Sequence, residues 1–304
     1  MSRPARSWTE RSVTVDGVRI VFDESAGADP ALVVLHGFLG SGASMVPLIE
    51  ALDAHGALAG RRVVTVDLVG HGRSDAPAAV DPYSLEWVVH QLAGVLDAVT
   101  PGAGAAPGDV PVDLLGYSMG GRIALALALA FPRRFCRLVL IGATAGIEDH
   151  AERRTRRAAD ADLAAFVDQR GIDAFVDRWE QLPIFATQAG LAPEIRARVR
   201  AGRTAQSEVG VANSLRGTGT GSMAPMWDRL ATLAVPTLLL AGALDTKYVE
   251  IGGRLADVLP AGRFLAIADA GHAAHVEKPE VTASAVGEFL GELGAADGAG
   301  APTW

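Results

Sequence analysis

A serine at the bend between an apolar strand and a helix constrains the fold of this chain more than any other feature. The run Gly116-Tyr117-Ser118-Met119-Gly120-Gly121 follows the strand-like residues 112–115 and precedes a helical stretch that begins near Met119. The small residues at 116 and 120 permit a sharp, strained turn, which lifts the serine hydroxyl to the top of a sheet. The helix N-terminus behind Ser118 favours developing negative charge. The pattern indicates a functional serine rather than a glycine-rich turn alone.

Strand-like and helix-like runs alternate along much of the chain. The alternation predicts a hairpin over residues 13–22, helices over residues 85–99 and 122–130, and buried strands over residues 31–35, 63–66, 112–115, 138–141, 237–240 and 264–267. This order is typical of a mostly parallel sheet with helices on both faces. The predicted fold class is therefore α/β.

Residues 146–220 interrupt this alternation, because they are rich in charge and helical in pattern. They predict a helical cap inserted between two strands of a core that comprises residues 1–145 and 221–295. Residues 101–111 are rich in Gly, Ala and Pro and predict a surface loop. Residues 296–304 lack structural signals and predict a mobile tail.

Composition and charge exclude several classes of protein. The net charge of −8 disfavours a nucleic-acid-binding protein, which needs a basic surface. The single cysteine, Cys136, excludes a disulfide framework, and no His/Cys cluster has the spacing of metal ligands. The chain shows neither an apolar leader at its start nor a membrane-spanning run. We therefore expect a cytoplasmic protein without a metal, a cofactor, a nucleic-acid partner or a membrane insertion.

A catalytic serine needs a histidine that a carboxylate orients. In the α/β-hydrolase fold, the acid and then the histidine follow the serine along the chain. Asp245 follows the strand at 237–240, and His272 follows the strand at 264–267. Ser118, Asp245 and His272 are therefore the predicted catalytic triad.

Three other histidines are candidates for different roles. His275 is a rival base, but it lacks a preceding glycine, and we expect it to support the loop of His272. His36 ends a strand and His71 lies in a turn after another strand, so both are interpreted as structural.

The backbone N–H groups of Phe38 and Met119 are predicted to form an oxyanion hole. Met119 directly follows the serine, and Phe38 lies in the loop after the strand at 31–35. Two such donors stabilise an enolate as well as a tetrahedral intermediate. The triad and the oxyanion hole therefore predict the site but leave the reaction open.

Several arginines suggest an anionic substrate. Arg122 lies one helical turn after Ser118, on the same helical face, while Arg153, Arg156 and Arg203 belong to the predicted cap. Each alone could be a solvated surface residue, whereas convergence on one pocket would indicate a substrate with more than one carboxylate. Trp179 and Phe185 fit either core packing of the cap or an apolar wall over a ring.

Nearly the whole chain resembles the 2-succinyl-6-hydroxy-2,4-cyclohexadiene-1-carboxylate (SHCHC) synthases of menaquinone biosynthesis, known as MenH, which have the α/β-hydrolase fold. The resemblance includes HGFLGSG, DLVGHGRSD, GALDTKY and AGHAAH, and the HG, GHG and G-x-S-x-G pieces are shared by many α/β hydrolases. More specific to the family are GYSMGGR, ERRTRRAAD, FVDRWEQLPIF and ANSLRGTGTGS.

The resemblance implies an elimination reaction in which Ser118 acts as the base, His272 activates it and Asp245 orients the imidazole. It also implies that the N–H groups of Phe38 and Met119 hold the enolate oxygen. The implied substrate carries several carboxylates, and the implied reaction needs no cofactor. Residues that match the family's substrate contacts are Arg122, Arg156, Arg203, Tyr117, Trp179, Phe185 and Lys247.

Two other functions remain open at this point. A carboxylesterase or C–C bond hydrolase would use the same triad with water, and only the arginines and the pattern of the cap disfavour it. A ligand-binding protein without activity would not require an intact triad, so its three residues disfavour that alternative.

Overall fold

Eight strands form one sheet in the computed structural model, which describes residues 6–100 and 110–292. In chain order they are β1 (Trp8–Val15), β2 (Val18–Ser25), β3 (Ala28–Leu35), β4 (Arg61–Val66), β5 (Val112–Tyr117), β6 (Phe135–Ile141), β7 (Thr237–Gly242) and β8 (Gly262–Ile267). Across the sheet the order is β1-β2-β4-β3-β5-β6-β7-β8. Strand β2 is antiparallel to both neighbours, and every pair from β4 to β8 is parallel. The predicted mostly parallel sheet is confirmed.

Helices cover both faces of this sheet. In the described part of the chain they are α1 (Val46–Ala54), α2 (Leu85–Val99), α3 (Met119–Ala130), α4 (His150–Glu180), α5 (Pro193–Thr204), α6 (Glu208–Gly217), α7 (Thr246–Val258), α8 (Ala274–Glu277) and α9 (Pro279–Gly291). Successive side chains of a strand point to opposite faces. In β3, Val33 and Leu35 pack in the cluster that contains α2 and α3 residues, whereas Leu32 and Val34 pack with α1 and α9. Burial on both faces explains why the central strands are continuous apolar runs.

The predicted strands and helices are confirmed, but several are longer than the sequence indicated. Strand β1 begins at Trp8, five residues before the predicted start at residue 13. Its first half was missed because β1 is an exposed edge strand whose polar residues form no apolar run. There Arg11 pairs with Glu24 of β2 across the strands. Helix α3 begins at Met119 directly after the serine.

Residues 146–220 lie between β6 and β7 and contain α4, α5 and α6. Helix α4 is interrupted at Gly171, which has a φ of 76°, and Glu208 accepts a hydrogen bond of 3.0 Å from the N–H of Ile172 just beyond. Apolar residues of α4 and α6 form a separate cluster around Leu39, in the loop after β3. This helical segment therefore packs against the loop that the sequence assigned to the oxyanion hole.

Some predictions fall on parts of the chain that are not described. The predicted tail at 296–304 lies outside the described residues, as does most of the predicted loop at 101–111. No helix within the described ranges is both long and apolar enough to cross a membrane.

Candidate active site

Ser118 occupies the bend between β5 and α3. Its φ of 50° and ψ of −107° are strained for a residue with a side chain. The bend requires glycine on both sides, because a Cβ at Gly116 would lie 2.4 Å from the carbonyl oxygen of Gly120. A Cβ at Gly120 would lie 2.4 Å from the carbonyl oxygen of His36. Close packing of three backbone segments therefore fixes the position of the serine.

The carboxyl ends of three parallel strands bring together the residues of the predicted triad. The Nε2 of His272 lies 3.0 Å from the Oγ of Ser118, and its Nδ1 lies 2.7 Å from Oδ2 of Asp245. His272 is buried. A Cβ at Gly142 would lie only 3.0 Å from Cε1 of the imidazole, so this glycine makes room for the ring. Such a chain of contacts can activate a hydroxyl as a nucleophile or as a base.

The predicted oxyanion donors lie beside the serine. Met119 is the first residue of α3, where backbone N–H groups lack a partner within the helix. Phe38 follows Gly37, whose hydrogen atom faces Tyr117, since a Cβ there would lie 2.6 Å from that ring. Both Phe38 and Met119 line the same cavity as Ser118. Donation to an oxyanion remains a prediction for both residues.

A cavity of about 580 Å³ opens in front of Ser118 and His272. Its volume is within the range of small-molecule sites. It is walled by the core on one side and by the helical segment 146–220 on the other. Most of the predicted substrate contacts lie on its wall, namely Tyr117, Arg122, Arg156, Trp179, Phe185 and Arg203.

Arg122 differs from Arg156 and Arg203, the two other predicted arginines of the cavity, because it has no carboxylate partner among the described residues. Its Nη1 donates to the carbonyl oxygen of Thr218 at 2.7 Å and contacts the Sδ of Met223 at 3.4 Å. Burial lowers the pKa of Arg122 from its usual value. A guanidinium in such surroundings favours an anion as its missing partner.

Arg156 and Arg203 are each paired with an acid. The Nε of Arg156 donates to Oδ1 of Asp160 at 2.8 Å. Arg203 donates from Nη1 to Glu180 and from Nη2 to the side chain of Gln188, both at 3.0 Å. These carboxylates offset part of the positive charge, so Arg122 contributes the most uncompensated charge of the three.

Aromatic rings form one continuous wall from the helical segment to the triad. The ring centroids of Phe38 and Trp179 are 5.1 Å apart, and those of Trp179 and Phe185 are 5.7 Å apart. Phe185 in turn lies 6.4 Å from the ring of His272. Phe175 stacks behind Trp179 and is fully buried. Trp179 and Phe185 thus pack within the helical segment and also line the cavity. Core packing and an apolar cavity wall, the two roles considered from the sequence, are therefore compatible.

The structure does not bring Lys247 into the cavity. Lys247 is exposed and absent from the cavity wall, whereas Tyr248 lines the wall with its ring 4.5 Å from that of His272. Helical spacing explains the difference, because residues three apart share a face and residues two apart do not. Asp245 caps α7, so Tyr248 lies above it and Lys247 points away. This spacing was the signal available in the sequence.

Two further residues of the site were not assigned a role from the sequence. Asp160 and Gln188 line the cavity and bind Arg156 and Arg203. Asp160 ends the ERRTRRAAD piece, but nothing in the sequence indicates that either side chain binds an arginine of the cavity. Arg153, by contrast, donates to the carbonyl oxygens of residues 147 and 148 and is absent from the cavity wall.

His36, His71 and His275 are buried, and burial lowers the pKa of each below its usual value. His275 packs against Tyr117 with ring centroids 4.2 Å apart, and burial, aided by the charge of His272, lowers its pKa to about 3. Burial, aided by the charge of His36, lowers the pKa of His71 to about 3. His36 Nε2 accepts from the N–H of Leu68 at 3.1 Å, which ties together the loops after β3 and β4. The interpretation of His36 and His71 as structural agrees with these contacts.

We expect the free energy of unfolding to decrease as the pH falls from about 6.5 to about 5. Unfolded histidines bind a proton near pH 6.5, whereas folded His71 and His275 remain neutral down to a pH of about 3. The unfolded state therefore binds more protons in this window, and each histidine contributes at most about 1.4 kcal/mol per pH unit. Urea unfolding at several pH values measures the slope.

Two variants test whether buried histidines cause this pH dependence of the free energy of unfolding. His275→Gln replaces a buried titrating ring and should reduce the slope, whereas His55→Gln replaces a ring that is exposed beside Glu280 and should leave it unchanged. Equal slopes in the wild type and in His275→Gln would contradict the assignment.

Comparisons with known proteins agree with this geometry. The family profile of the α/β hydrolase fold matches residues 30–279. A Bacillus subtilis protein, provisionally named a 2-succinyl-6-hydroxy-2,4-cyclohexadiene-1-carboxylate synthase, is 40% identical, with 92% of this chain and 97% of that protein covered. The synthase of that name from Photorhabdus laumondii is 30% identical, with 86% of this chain and 85% of that protein covered.

Solved structures give a consistent result. The structure of MenH from S. aureus superposes with a TM-score of 0.81 and 33% identity, covering 89% of this chain and 98% of that chain. A malate-bound esterase from Thermogutta terrifontis has a TM-score of 0.77 and 25% identity, covering 94% and 99%. With its fold, its site and its full-length relatives taken together, this chain belongs to the α/β-hydrolase fold family and, within it, to the 2-succinyl-6-hydroxy-2,4-cyclohexadiene-1-carboxylate synthases.

Proposed function

We propose that this chain eliminates pyruvate from 2-succinyl-5-enolpyruvyl-6-hydroxy-3-cyclohexene-1-carboxylate to give SHCHC. The observation that carries the proposal is the half-buried Arg122, a cation without a described carboxylate partner on the wall of the cavity that contains Ser118 and His272. The substrate has a ring carboxylate, a succinyl carboxylate and an enolpyruvyl carboxylate. One of these anions supplies the partner that Arg122 lacks.

Arg156 and Arg203 extend the anionic site around the ring. Both residues line the cavity, and the terminal nitrogens of Arg156 have no hydrogen-bond partner in the described chain and can bind a further carboxylate. Both terminal nitrogens of Arg203 are held by Glu180 and Gln188, so Arg203 contributes mainly its positive charge. The aromatic wall of Phe38, Trp179 and Phe185 supplies an apolar surface for the cyclohexene. Charge at the rim of the ring and apolar contact at its face together orient the substrate.

The reaction begins at ring carbon C2, which carries a proton α to the succinyl ketone. Ser118 takes this proton as its own hydroxyl proton passes to Nε2 of His272, and Asp245 stabilises the resulting imidazolium. The electron pair of the broken C–H bond moves to the ketone oxygen. In this proposal, the N–H groups of Phe38 and Met119 stabilise the enolate.

The enolate then collapses with loss of the leaving group. A double bond forms between C2 and C3, the existing double bond moves to C4 and C5, and the bond between C5 and the enolpyruvyl oxygen breaks. The departing enolate of pyruvate takes a proton at carbon, which returns the proton that the triad removed. The products are the cyclohexadiene and pyruvate, with every proton and electron pair accounted for.

A hydrolase is the second candidate, because the same triad could attack an acyl carbon and the esterase from Thermogutta terrifontis has a similar fold. A spectrophotometric assay separates the two functions. We expect formation of a conjugated diene together with an equal amount of pyruvate, and little turnover of p-nitrophenyl esters. Rapid ester hydrolysis without diene formation would overturn the proposed elimination.

A further inference from the structure

Two arginines of the cavity are connected to the same short loop, Arg122 directly and Arg156 through Asp160. Arg122 projects from α3 of the sheet core, and Arg156 projects from α4 of the helical segment. The segment at residues 218–222, here called the glycine loop, follows α6. Its backbone accepts a hydrogen bond from Arg122 and donates one to Asp160, which binds Arg156. Its backbone therefore links two cations that belong to different parts of the fold.

At one end of the glycine loop, Thr218 receives Arg122. The carbonyl oxygen of Thr218 accepts from Nη1 of Arg122 at 2.7 Å. Thr218 is itself fixed to α6, because its N–H and its Oγ1 donate to the carbonyl oxygen of Ser214 at 2.9 and 3.0 Å. The position of this guanidinium thus depends on the backbone of the loop.

At the other end of the glycine loop, the side chains of Asp160 and Arg157 hydrogen-bond to the backbone of Gly221. The buried Oδ2 of Asp160 accepts from the N–H of Gly221 at 3.2 Å, and the carbonyl oxygen of Gly221 accepts from Nε of Arg157 at 3.1 Å. A Cβ at Gly221 would lie 2.2 Å from the backbone nitrogen of Arg157. A Cβ at Gly219 would lie 2.7 Å from Oδ2 of Asp160. Both glycines allow the loop to approach α4 closely enough for these bonds.

Asp160 also sets the orientation of Arg156. Among the described residues, its Oδ1 accepts only from Nε of that arginine, at 2.8 Å. The two terminal nitrogens of Arg156 form no hydrogen bond with any described residue, and its side chain is 41% exposed. Because Asp160 binds only the Nε edge, the two terminal nitrogens of this cavity-lining arginine are left without a partner in the described chain, and such a pair can bind a carboxylate with two hydrogen bonds.

We infer that Asp160 is a positioning residue that, through Arg156 and Gly221, fixes the spacing between the guanidinium groups of Arg122 and Arg156. A fixed spacing selects ligands with two carboxylates at a matching separation, because less side-chain freedom is lost when such a ligand binds. The inference rests on the proposed function for the identity of the ligand. The hydrogen bonds of Asp160 to Arg156 and Gly221 do not depend on which reaction the site catalyses.

Dicarboxylates of increasing length, from malonate to adipate, test the spacing by calorimetry. The wild type should bind one length best. Asp160→Asn keeps the shape of the side chain but turns one acceptor oxygen into a donor, so it should weaken binding of that length about tenfold and flatten the dependence on length. Binding of acetate should change less than threefold. Asp162→Asn is the matched control, because Asp162 is exposed on the same helix and should have no effect.

Kinetics of the elimination provide a second readout. Asp160→Asn should raise KM about tenfold with kcat reduced less than threefold, which loss of folded protein would not produce. If this variant does not fold, Arg157→Gln weakens the other bond to Gly221 and should flatten the length dependence in the same direction. An equal loss of acetate and dicarboxylate binding, or an unchanged preference for length, would overturn the inference. Failure of the wild type to form the diene would instead overturn the proposed function, because the calorimetric result does not require turnover.

Discussion

Replacing Ser118 with alanine is expected to lower kcat/KM for the elimination by about three to four orders of magnitude. The hydroxyl lies 3.0 Å from Nε2 of His272 and is the only side-chain group that the imidazole reaches at that nitrogen in the described chain. Without this hydroxyl, His272 would have to remove the substrate proton directly or through a water molecule, over a longer distance than the serine spans. The rate of diene formation measures the effect.

Two comparisons make this result specific. Ser41→Ala removes a hydroxyl from the same cavity wall without touching His272, so its kcat/KM should stay within about threefold of wild type. His272→Ala should cost about as much as Ser118→Ala, and the double variant should be little worse than either, since the two residues act as one unit. A Ser118→Ala enzyme with a tenth or more of wild-type activity would show that the serine is not the base.

The layout of the core was predictable because its signals are local. An apolar run, a turn and a helical period each extend over a few residues, so the strand before Ser118 and the helix after it could be identified directly. The chain order of serine, acid and histidine then identified Asp245 and His272, because the parallel strands end at one edge of the sheet. The structure places the three side chains in contact.

The finer features of the site were not predictable, because they depend on contacts between distant parts of the sequence. Asp160 touches Gly221 across 61 residues, and Arg122 touches Thr218 across 96. Neither contact follows from periodicity or propensity. The arginine pattern therefore indicated an anionic pocket without indicating which arginines are neutralised and which one is left without an acid.

The wrong prediction that Lys247, rather than Tyr248, lines the cavity has a different cause. The sequence resemblance placed a basic residue just after the triad acid, but helical geometry decides which side chain faces the cavity. Tyr248 donates its backbone N–H to the carbonyl oxygen of Asp245 at 3.0 Å, so its ring is positioned together with the acid. Local geometry thus outweighed the motif at this position.

Replacing Arg122 with methionine is expected to lower kcat/KM by about two orders of magnitude or more. A substrate carboxylate would lose its charged partner, and Arg156 and Arg203 are each already paired with an acid of the protein. The same change should leave the thermal unfolding midpoint unchanged or higher, because a cation without a described acid is replaced by an apolar side chain of similar length. Activity and stability are thus expected to move in opposite directions.

Two further arginine variants separate charge, geometry and fold in this test. Arg122→Lys keeps the charge but loses the planar fork, so its kcat/KM should lie between those of the wild type and Arg122→Met. Arg153→Met is the control, because Arg153 binds only near the start of α4 and lies outside the cavity wall, and its kcat/KM should be nearly that of the wild type. Initial rates and thermal unfolding of the four proteins provide the comparison. If Arg122→Met unfolded at a lower temperature and kept normal activity, Arg122 would be a structural residue, and the anionic pocket would lose the cation on which it depends.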